Sequence, residues 1–501
     1  MNKKYLLALD QGTSSSRSVL FDTHGQLIAI DQKEVLPGFP APGLVEHDPH
    51  ALWRTQLETA QNVIARAGIS ARDILTIGIT NQRETLVAWN RLTGEPLCPA
   101  LVWQDRRAQA LCEQLVESGH EALVQSRSGL RIDAYFSAGK AKWILDHIPA
   151  AKACADAGHL ALGTVDSWLL WNLTKGANFA TDLTNASRTL LFNIRENHWD
   201  TSLLDLFELK SSYFPEVHAS AHQFGFADPQ WLGHSIPING MAGDQQSALF
   251  GQACFKPGMA KNTYGTGCFA LMNSGDTFQL STNGLITTLN AQSMLNSPSY
   301  AAEGSVFVGG AVVQWLRDGL HAFERSADIE KLAGSVPDNG GVTVVPAFSG
   351  LGAPYWQPDA RGTITGLTRG TTLAHIARAA LESIAFQSTA LLQAMNRDAQ
   401  SASRAELLEL RVDGGASSNN LLMQFQADLL GIPVIRPAVT ETTALGAAWL
   451  AGLNAGIYSH TDELAELWQT DTYFTPSMTR DEAAGKMAQW EFAVRQACVP
   501  Q

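Results

Sequence analysis

The sequence predicts an α/β protein made of two duplicated domains that face each other across a cleft. Three observations carry that expectation. A glycine- and hydroxyl-rich turn, DQGTSSSR at Asp10–Arg17, lies between the short apolar runs Tyr5–Leu9 and Val19–Phe21. A second turn of the same build, Gly265-Thr266-Gly267, interrupts NTYGTGCFALM at Asn262–Met272. Much later in the chain, each turn is followed by a long amphipathic helix that leads into a strand.

In the first half, the two apolar runs and the turn Asp22-Thr23-His24-Gly25 read as a β-hairpin with small hydroxyl residues at its tip. Thr13, Ser14 and Ser15 crowd O–H and backbone N–H donors near one point, which suits a phosphate chain. Asp10 at the strand end can hold Mg²⁺ through water, and Arg17 can reach a phosphate oxygen. A serine-rich turn with a satisfied Asp fits the same letters, and this segment alone leaves the two readings even. The helix is expected over 48–67. Asp48 caps it, Pro49 occupies its first turn and Gly68 stops it. Trp53, Leu57, Ala60, Ile64 and Ala67 step by four and three along one face. The strand is ILTIGIT, Ile74–Thr80.

In the second half, Thr372 opens a helix through Ile376, Ala380, Ile384 and Leu391, and LLELRVDGG at Leu407–Gly415 is the strand. The Ala- and Gly-rich stretch Gly446–Gly456 reads as a helix packed closely on its neighbours. Ala219–Ser235 reads as an irregular exposed loop ahead of the strand and turn IPINGMAGD. The first domain is expected at Met1–Phe250 and the second from Gly251 to the end.

The chain has 501 residues, more than a single core supports. Hydrophobic residues make up 45% and charged residues 17%, as in folded globular proteins. A net charge of −13 argues against nucleic acid or an anionic membrane as partner, but not against a nucleotide site built from local donors. The six cysteines lack metal-type spacing and read as reduced thiols of a cytoplasmic protein. The N-terminal apolar stretch ends at Asp10, too short for a signal-peptide core. No apolar run of about 18 residues exists, so no membrane span is expected.

Seven longer strings are more specific: ITNQRET, VWQDRR, NASRTLLFNI, AGDQQSALFGQ, KNTYGTGCF, VPAFSGLGAPYWQPDARG and RVDGGASSNNLLMQFQAD. On these the chain resembles the FGGY family of sugar and polyol kinases, nearly end to end, with the match fading after about Tyr458. The resemblance implies two ribonuclease-H-like domains of the actin-like ATPase fold. It is tightest to the members that act on glycerol. It therefore implies ATP-dependent phosphorylation of glycerol to sn-glycerol 3-phosphate, with ATP and Mg²⁺ bound. It also implies a homo-oligomer, a dimer or tetramer.

A small polyol needs a pocket that mixes donors and acceptors, because each hydroxyl is both. Arg83–Glu84 and Asp244–Gln245 are such pairs, each beyond an apolar run, and Tyr135 can both donate and accept. Taken singly, adjacent opposite charges are ordinarily a surface ion pair, and Asp244 reads as a cap. By the resemblance, Arg83, Glu84, Tyr135, Asp244 and Gln245 hold the hydroxyls, Trp103 and Phe269 flank the carbons, and Asp244 is the general base. Thr266 then lies beside the phosphates, and Gly310, Gln314, Gly415 and Asn419 line the nucleotide. Closure of the halves around the substrates is expected. A kinase for another small polyol or sugar, and a non-catalytic actin-like nucleotide binder, are the rival readings.

One stretch departs from the family. Members inhibited by fructose 1,6-bisphosphate carry a Gly-rich basic loop, but Gly225–Ser235 here (GFADPQWLGHS) has no Lys or Arg and contains Asp228. Weak or absent inhibition is expected when activity is titrated against that effector.

Overall fold

The computed structural model describes residues 4–499. The outermost residues of the two expected domains, 1–3 and 500–501, lie outside the described residues. Two mixed sheets form the centres of the two halves. In the first, strands Ala221–Ala227, Ile236–Gly243, Ile74–Asn81, Tyr5–Gln11, Ser15–Asp22 and Leu27–Glu34 lie side by side in that order. Tyr5–Gln11 is antiparallel to its hairpin partner, from Tyr5↔Asp22 to Gln11↔Ser16, and parallel to Ile74–Asn81.

The second sheet repeats the plan. Met259–Tyr264 is antiparallel to its hairpin partner Cys268–Gly275 and parallel to Glu409–Asp413. Antiparallel strands Tyr300–Val306 and Ile286–Leu289 extend it on one side, and Val434–Pro437 and Thr470–Phe474 on the other. The helix feeding Glu409–Asp413 runs over Leu373–Ser401, ten residues past the last apolar position read from the sequence. A four-stranded insert (Glu46–His47, Ala100–Leu101, Leu86–Asn90 and Leu160–Thr164) has its own apolar core beside the first sheet.

Two sequence readings need correction, and a third holds but gains a place in space. The helix Pro49–Ala67 has the expected caps, with Asp48 accepting from the His50 N–H and Gly68 left-handed at the C-terminus. Its most buried face, however, is Leu52, Thr55, Gln56, Thr59, Ala60 and Val63; of the expected apolar positions only Ala60 belongs to it, and Trp53, Leu57, Ile64 and Ala67 flank it half-buried. The polar residues are inside because they bond the hairpin. Ser16 Oγ meets Thr55 Oγ1 at 2.7 Å, Ser18 Oγ meets Thr59 Oγ1 at 2.9 Å, and Gln56 Nε2 donates to the Arg17 carbonyl at 2.9 Å. The hydroxyls and the Gln56 amide nitrogen thereby recover the bonds they lose on leaving water, and only Gln56 Oε1 on this face stays unbonded.

Second, Ala219–Ser235 is not an irregular loop. Ala221–Ala227 is the edge strand of the first sheet, antiparallel to Ile236–Gly243, and Pro229–Leu232 is a helical turn. A register shift between Ala221 and Gly225 breaks the alternation that would have marked a strand.

Third, the small-residue helix spans Thr442–Asn454 and belongs in space with the first half. Its Ala444, Ala448 and Trp449 pack against Leu6, Ala8, Val19 and Phe21. It also crosses the helix Asp244–Gly251 so tightly that a Cβ on Gly446 would lie 1.9 Å from the Ser247 carbonyl oxygen. Among the described residues, no helix is long and apolar enough to cross a membrane.

Candidate active site

The first hairpin tip is closed by Gly12 N–H donating to the Ser15 carbonyl at 2.9 Å. Thr13 and Ser15 are half-buried and Ser14 is exposed. The Trp103 indole N–H donates to Thr13 Oγ1 at 2.9 Å, which ties the expected carbon wall to the expected phosphate loop. Arg17 lies 3.8 Å from Asp10 and bonds Glu441, just ahead of the helix Thr442–Asn454. Burial pushes the Asp10 carboxyl up from 3.8 to about 7; Arg17 opposes this, and Glu441 and Asp244 add to it.

Arg83 and Glu84 follow the strand Ile74–Asn81 and are 3% and 1% exposed, so they are not a surface ion pair. Instead the Arg83 guanidinium makes a two-pronged contact with Glu303 of the strand Tyr300–Val306 in the other half, Nη1–Oε2 2.8 Å and Nη2–Oε1 2.7 Å. Arg188 completes the group, donating to Glu84 at 2.5 Å and to Glu303 at 3.1 Å. Two arginines and two glutamates thus balance their charges inside the protein. Burial works against charge on Glu303, but Arg188 and Arg83 overcome it and hold its carboxyl down to about 2. At Glu84 burial prevails over Arg188 and Arg83, and the carboxyl is raised. Glu84 also has a left-handed backbone, φ 62°, an uncommon conformation for a residue other than glycine.

Tyr135 stands against this group, its ring 5.6 Å from the Arg188 guanidinium carbon and edge-on to Trp103 at 5.6 Å. The buried Lys140 ammonium pins the Tyr135 segment by bonding the carbonyls of Ala134, Tyr135 and Phe136 at 2.7, 2.7 and 3.2 Å.

Asp244 opens the helix Asp244–Gly251 at the end of the strand Ile236–Gly243. Its Oδ1 accepts from the Gln245 N–H at 2.7 Å and lies 3.2 Å from Arg83 Nε. Its side chain is 30% exposed. Gly243 lets the arginine stem through, since a Cβ there would sit 2.7 Å from Arg83 Cγ and Cδ. The Gln245 side-chain oxygen is bonded by Lys261, which also donates to Thr263 Oγ1 at 2.9 Å and to the Phe269 carbonyl at 3.2 Å. Burial lowers the Lys261 ammonium from 10.5 to about 8, against Asp413 and Asp244, which raise it.

The second tip closes through Gly265 N–H to the Gly267 carbonyl at 2.9 Å. The turn before the helix Ala311–Asp318 docks on it: Gly310 N–H donates to Gly265 at 2.8 Å, and Gly309 and Ala311 N–H to the Thr266 carbonyl at 2.8 and 3.1 Å. Gln314 lies one turn into that helix, its N–H bonded to the Gly310 carbonyl at 3.1 Å. Gly415 lies just past the strand Glu409–Asp413, and a Cβ there would meet only open space. Asn419 caps the helix Asn420–Leu430, its Oδ1 accepting from Leu422 N–H at 2.9 Å.

Sequence reasoning missed Glu303, Arg188, Lys261 and Glu441. Arg188 and Lys261 lie inside the strings NASRTLLFNI and KNTYGTGCF, so those strings held the signal. Glu303, one charge in the strand YAAEGSV, carried none beyond its oddity there.

Comparison with known proteins places this geometry. The FGGY family of carbohydrate kinases matches through its N-terminal domain at residues 5–251 and its C-terminal domain at 260–455. A glycerol kinase of Polaromonas naphthalenivorans is 65% identical over 98% of this chain and 99% of its own length. One of Acidovorax ebreus is 64% identical over 99% of each. The crystal structure of Plasmodium falciparum glycerol kinase with ADP superposes with a TM-score of 0.92 at 35% identity, over 100% of this chain and 99% of that one. A ligand-bound xylulose kinase from Lactobacillus acidophilus shares the fold, with a TM-score of 0.86 at 21% identity over 99% and 97% of the two chains. The chain belongs to the FGGY family of carbohydrate kinases.

Proposed function

We propose that the chain is an ATP-dependent kinase that converts glycerol to sn-glycerol 3-phosphate. The observation that carries this reading is the setting of Asp244. One carboxylate oxygen is anchored by Gln245 and Arg83, and the other accepts no hydrogen bond among the described residues. A carboxylate held in this way is oriented by its own backbone and free to take a proton. The high-identity relatives named glycerol kinase support the choice of polyol.

In this reading Arg83, Glu84, Tyr135 and Gln245 hold the hydroxyls, and Trp103 and Phe269 bracket the carbon chain. Asp244 accepts the proton as the alcohol oxygen bonds the terminal phosphorus and the phosphorus–oxygen bond to ADP breaks. Thr13, Ser14 and Ser15 approach the phosphates from one half and Thr266 from the other. Arg17 adds charge there while tied to Glu441, and Gly310, Gln314, Gly415 and Asn419 line the nucleotide. The open space at Gly415 leaves room for a flat ring or a ribose.

Asp10 is the carboxylate that would hold Mg²⁺ through water. It fits because it is buried amid excess negative charge from Glu441 and Asp244. Bound there, Mg²⁺ offsets phosphate charge during transfer. The same reading takes the two domains as 1–250 and 251–501, and the protein as a cytoplasmic dimer or tetramer. Turnover of glycerol, erythritol, xylulose and dihydroxyacetone, measured side by side with Mg-ATP, tests the assignment. Preference for any of the other three over glycerol would replace it.

Asp10 also sets a pH prediction. Its folded value of about 7 lies above the ordinary 3.8, so burial favours folding only while the group is protonated. That benefit is lost as pH rises from about 4 through about 7. Asp10→Asn should therefore raise the melting temperature of the ligand-free protein at pH 8 by several degrees, and by much less at pH 4. It should also weaken the Mg²⁺ dependence of activity. Thermal melts at the two pH values check the sign.

A further inference from the structure

A closed ring of hydrogen bonds joins the expected carbon wall to the expected phosphate loop, and chemistry fixes the direction of each bond. An indole N–H only donates. Trp103 Nε1 therefore gives its proton to Thr13 Oγ1, at 2.9 Å, and the Thr13 oxygen accepts. The hydroxyl's own proton is left over and meets no acceptor among the described residues. The Trp103 main-chain N–H donates to Thr85 Oγ1 at 3.1 Å, and the Thr85 hydroxyl donates to Gln82 Oε1 at 2.9 Å. Gln82 Nε2 returns to the loop by donating to the Gly12 carbonyl at 3.2 Å. Thr85 and Gln82 are buried and form the fixed side of the ring. Trp103 and Thr13 are half-buried, so a ligand can reach both.

We infer that Trp103 is a positioning residue for the nucleotide: its N–H orients the Thr13 hydroxyl as a donor to the phosphates. The inference rests on the kinase reading. It adds a second task to a side chain that the reading assigns to the carbon chain of the polyol.

A free hydroxyl offers a phosphate either a proton or a lone pair, and the lone pair repels the anion. At Thr13 one lone pair is tied to the indole, so the proton is excluded from that direction and stays available to a phosphate oxygen. Two hydrogen bonds in series also polarise each other, which makes a hydroxyl that already accepts a better donor. The indole cannot swing away to release Thr13. Its main chain is held by Thr85, and its ring stands edge-on to Tyr135 at 5.6 Å.

The test separates the N–H from the ring. Benzothienylalanine in place of Trp103 keeps the shape and puts sulfur where the N–H stands, and Trp103→Phe keeps a flat apolar wall without the donor. Calorimetric titration of the full chain with ADP should show both binding about three- to tenfold more weakly than the parent, the worth of one hydrogen bond. Glycerol should bind the sulfur isostere as it binds the parent. Thr13→Val, which keeps the shape and removes the hydroxyl, should weaken ADP binding at least as much. Adding the isostere to Thr13→Val should then weaken it no further, because both changes act through one hydroxyl. Circular dichroism confirms the fold of each variant. Undiminished ADP binding to the isostere, a loss of glycerol affinity without a loss of ADP affinity, or an equal further loss on the Thr13→Val background overturns the inference. A parent chain that binds no ADP overturns the kinase reading and this inference with it. The two failures are therefore told apart by the parent titration.

Discussion

Replacing Asp244 with asparagine is expected to lower kcat about 10²–10⁴-fold, the usual worth of a positioned general base. Affinity for ADP should stay close to that of the parent. Asparagine keeps the shape and can still accept from the Gln245 N–H, so the local backbone has no reason to move. It removes the basic oxygen and the charge that faces Arg83 Nε at 3.2 Å. The helix Asp244–Gly251 loses an acidic residue from its first turn, a cost of about 0.3–1 kcal/mol through the helix dipole. That is too small to unfold a domain. A second consequence is specific to this geometry. Asp244 is one of the charges that raise the Asp10 carboxyl, so the variant should shift Asp10 down and Mg²⁺ binding should persist to lower pH. Single-turnover phosphoryl transfer with calorimetric ADP titration separates chemistry from binding. A rate within tenfold of the parent would move the base elsewhere.

The duplicated plan was legible because its marks are local. A turn needs glycine and hydroxyl residues next to each other, and a helix end needs Asp48 or Gly68 at a fixed place. The nearer parts of the site were legible for the same reason: Asp10, Thr13, Arg83, Glu84, Asp244 and Thr266 all sit at strand ends or tips. What stayed hidden depends on contacts between distant segments. Glu303 is 220 positions from Arg83, and no local spacing announces that a strand from one half will deliver a carboxylate to the other. The apolar stepping of the helix Pro49–Ala67 gives no hint that Thr55, Gln56 and Thr59 are buried, since their partners Ser16 and Ser18 come from the distant hairpin. The edge strand Ala221–Ala227 was hidden by its register shift, since strand recognition assumes strict alternation. The helix Thr442–Asn454 was correctly read as closely packed, but its sequence does not say that the sheet beneath it belongs to the other half.

Among the bonds at the site that join the halves are Arg17 to Glu441, Gln245 to Lys261, and Arg83 to Glu303. In each, a residue expected to touch substrate is held by a partner from across the cleft. In the proposed reading the polyol pocket therefore takes its shape from both halves, and a change in their approach would alter the donors offered to glycerol.

Glu303→Gln tests that dependence. The variant keeps the side-chain volume but leaves Arg83 and Arg188, 3% and 0% exposed, sharing only Glu84 within the buried group. Removing one partner of a buried ion pair costs about 3–5 kcal/mol because the remaining charge stays desolvated. A clear drop in melting temperature is therefore expected. Its pH dependence has a definite sign. The carboxyl is held down to about 2, so its contribution is present above the ordinary 4.5 and lost only as pH falls toward 2. The deficit of the variant should then be flat from pH 6 to 9. The second expectation separates positioning from mere stability. Arg83 freed from its two-pronged anchor presents its donors poorly, and losing one well-placed charged hydrogen bond costs about 1.5–3 kcal/mol, or roughly 10–100-fold in glycerol KM. ATP KM should not move, because Glu303 bonds none of the residues assigned to the nucleotide. Glu303→Asp restores the charge but, one methylene shorter, holds its carboxylate back from Arg83, so it should recover melting temperature more than it recovers KM. If both variants melt early yet bind glycerol like the parent, Glu303 serves the fold alone and the pocket does not depend on the second half.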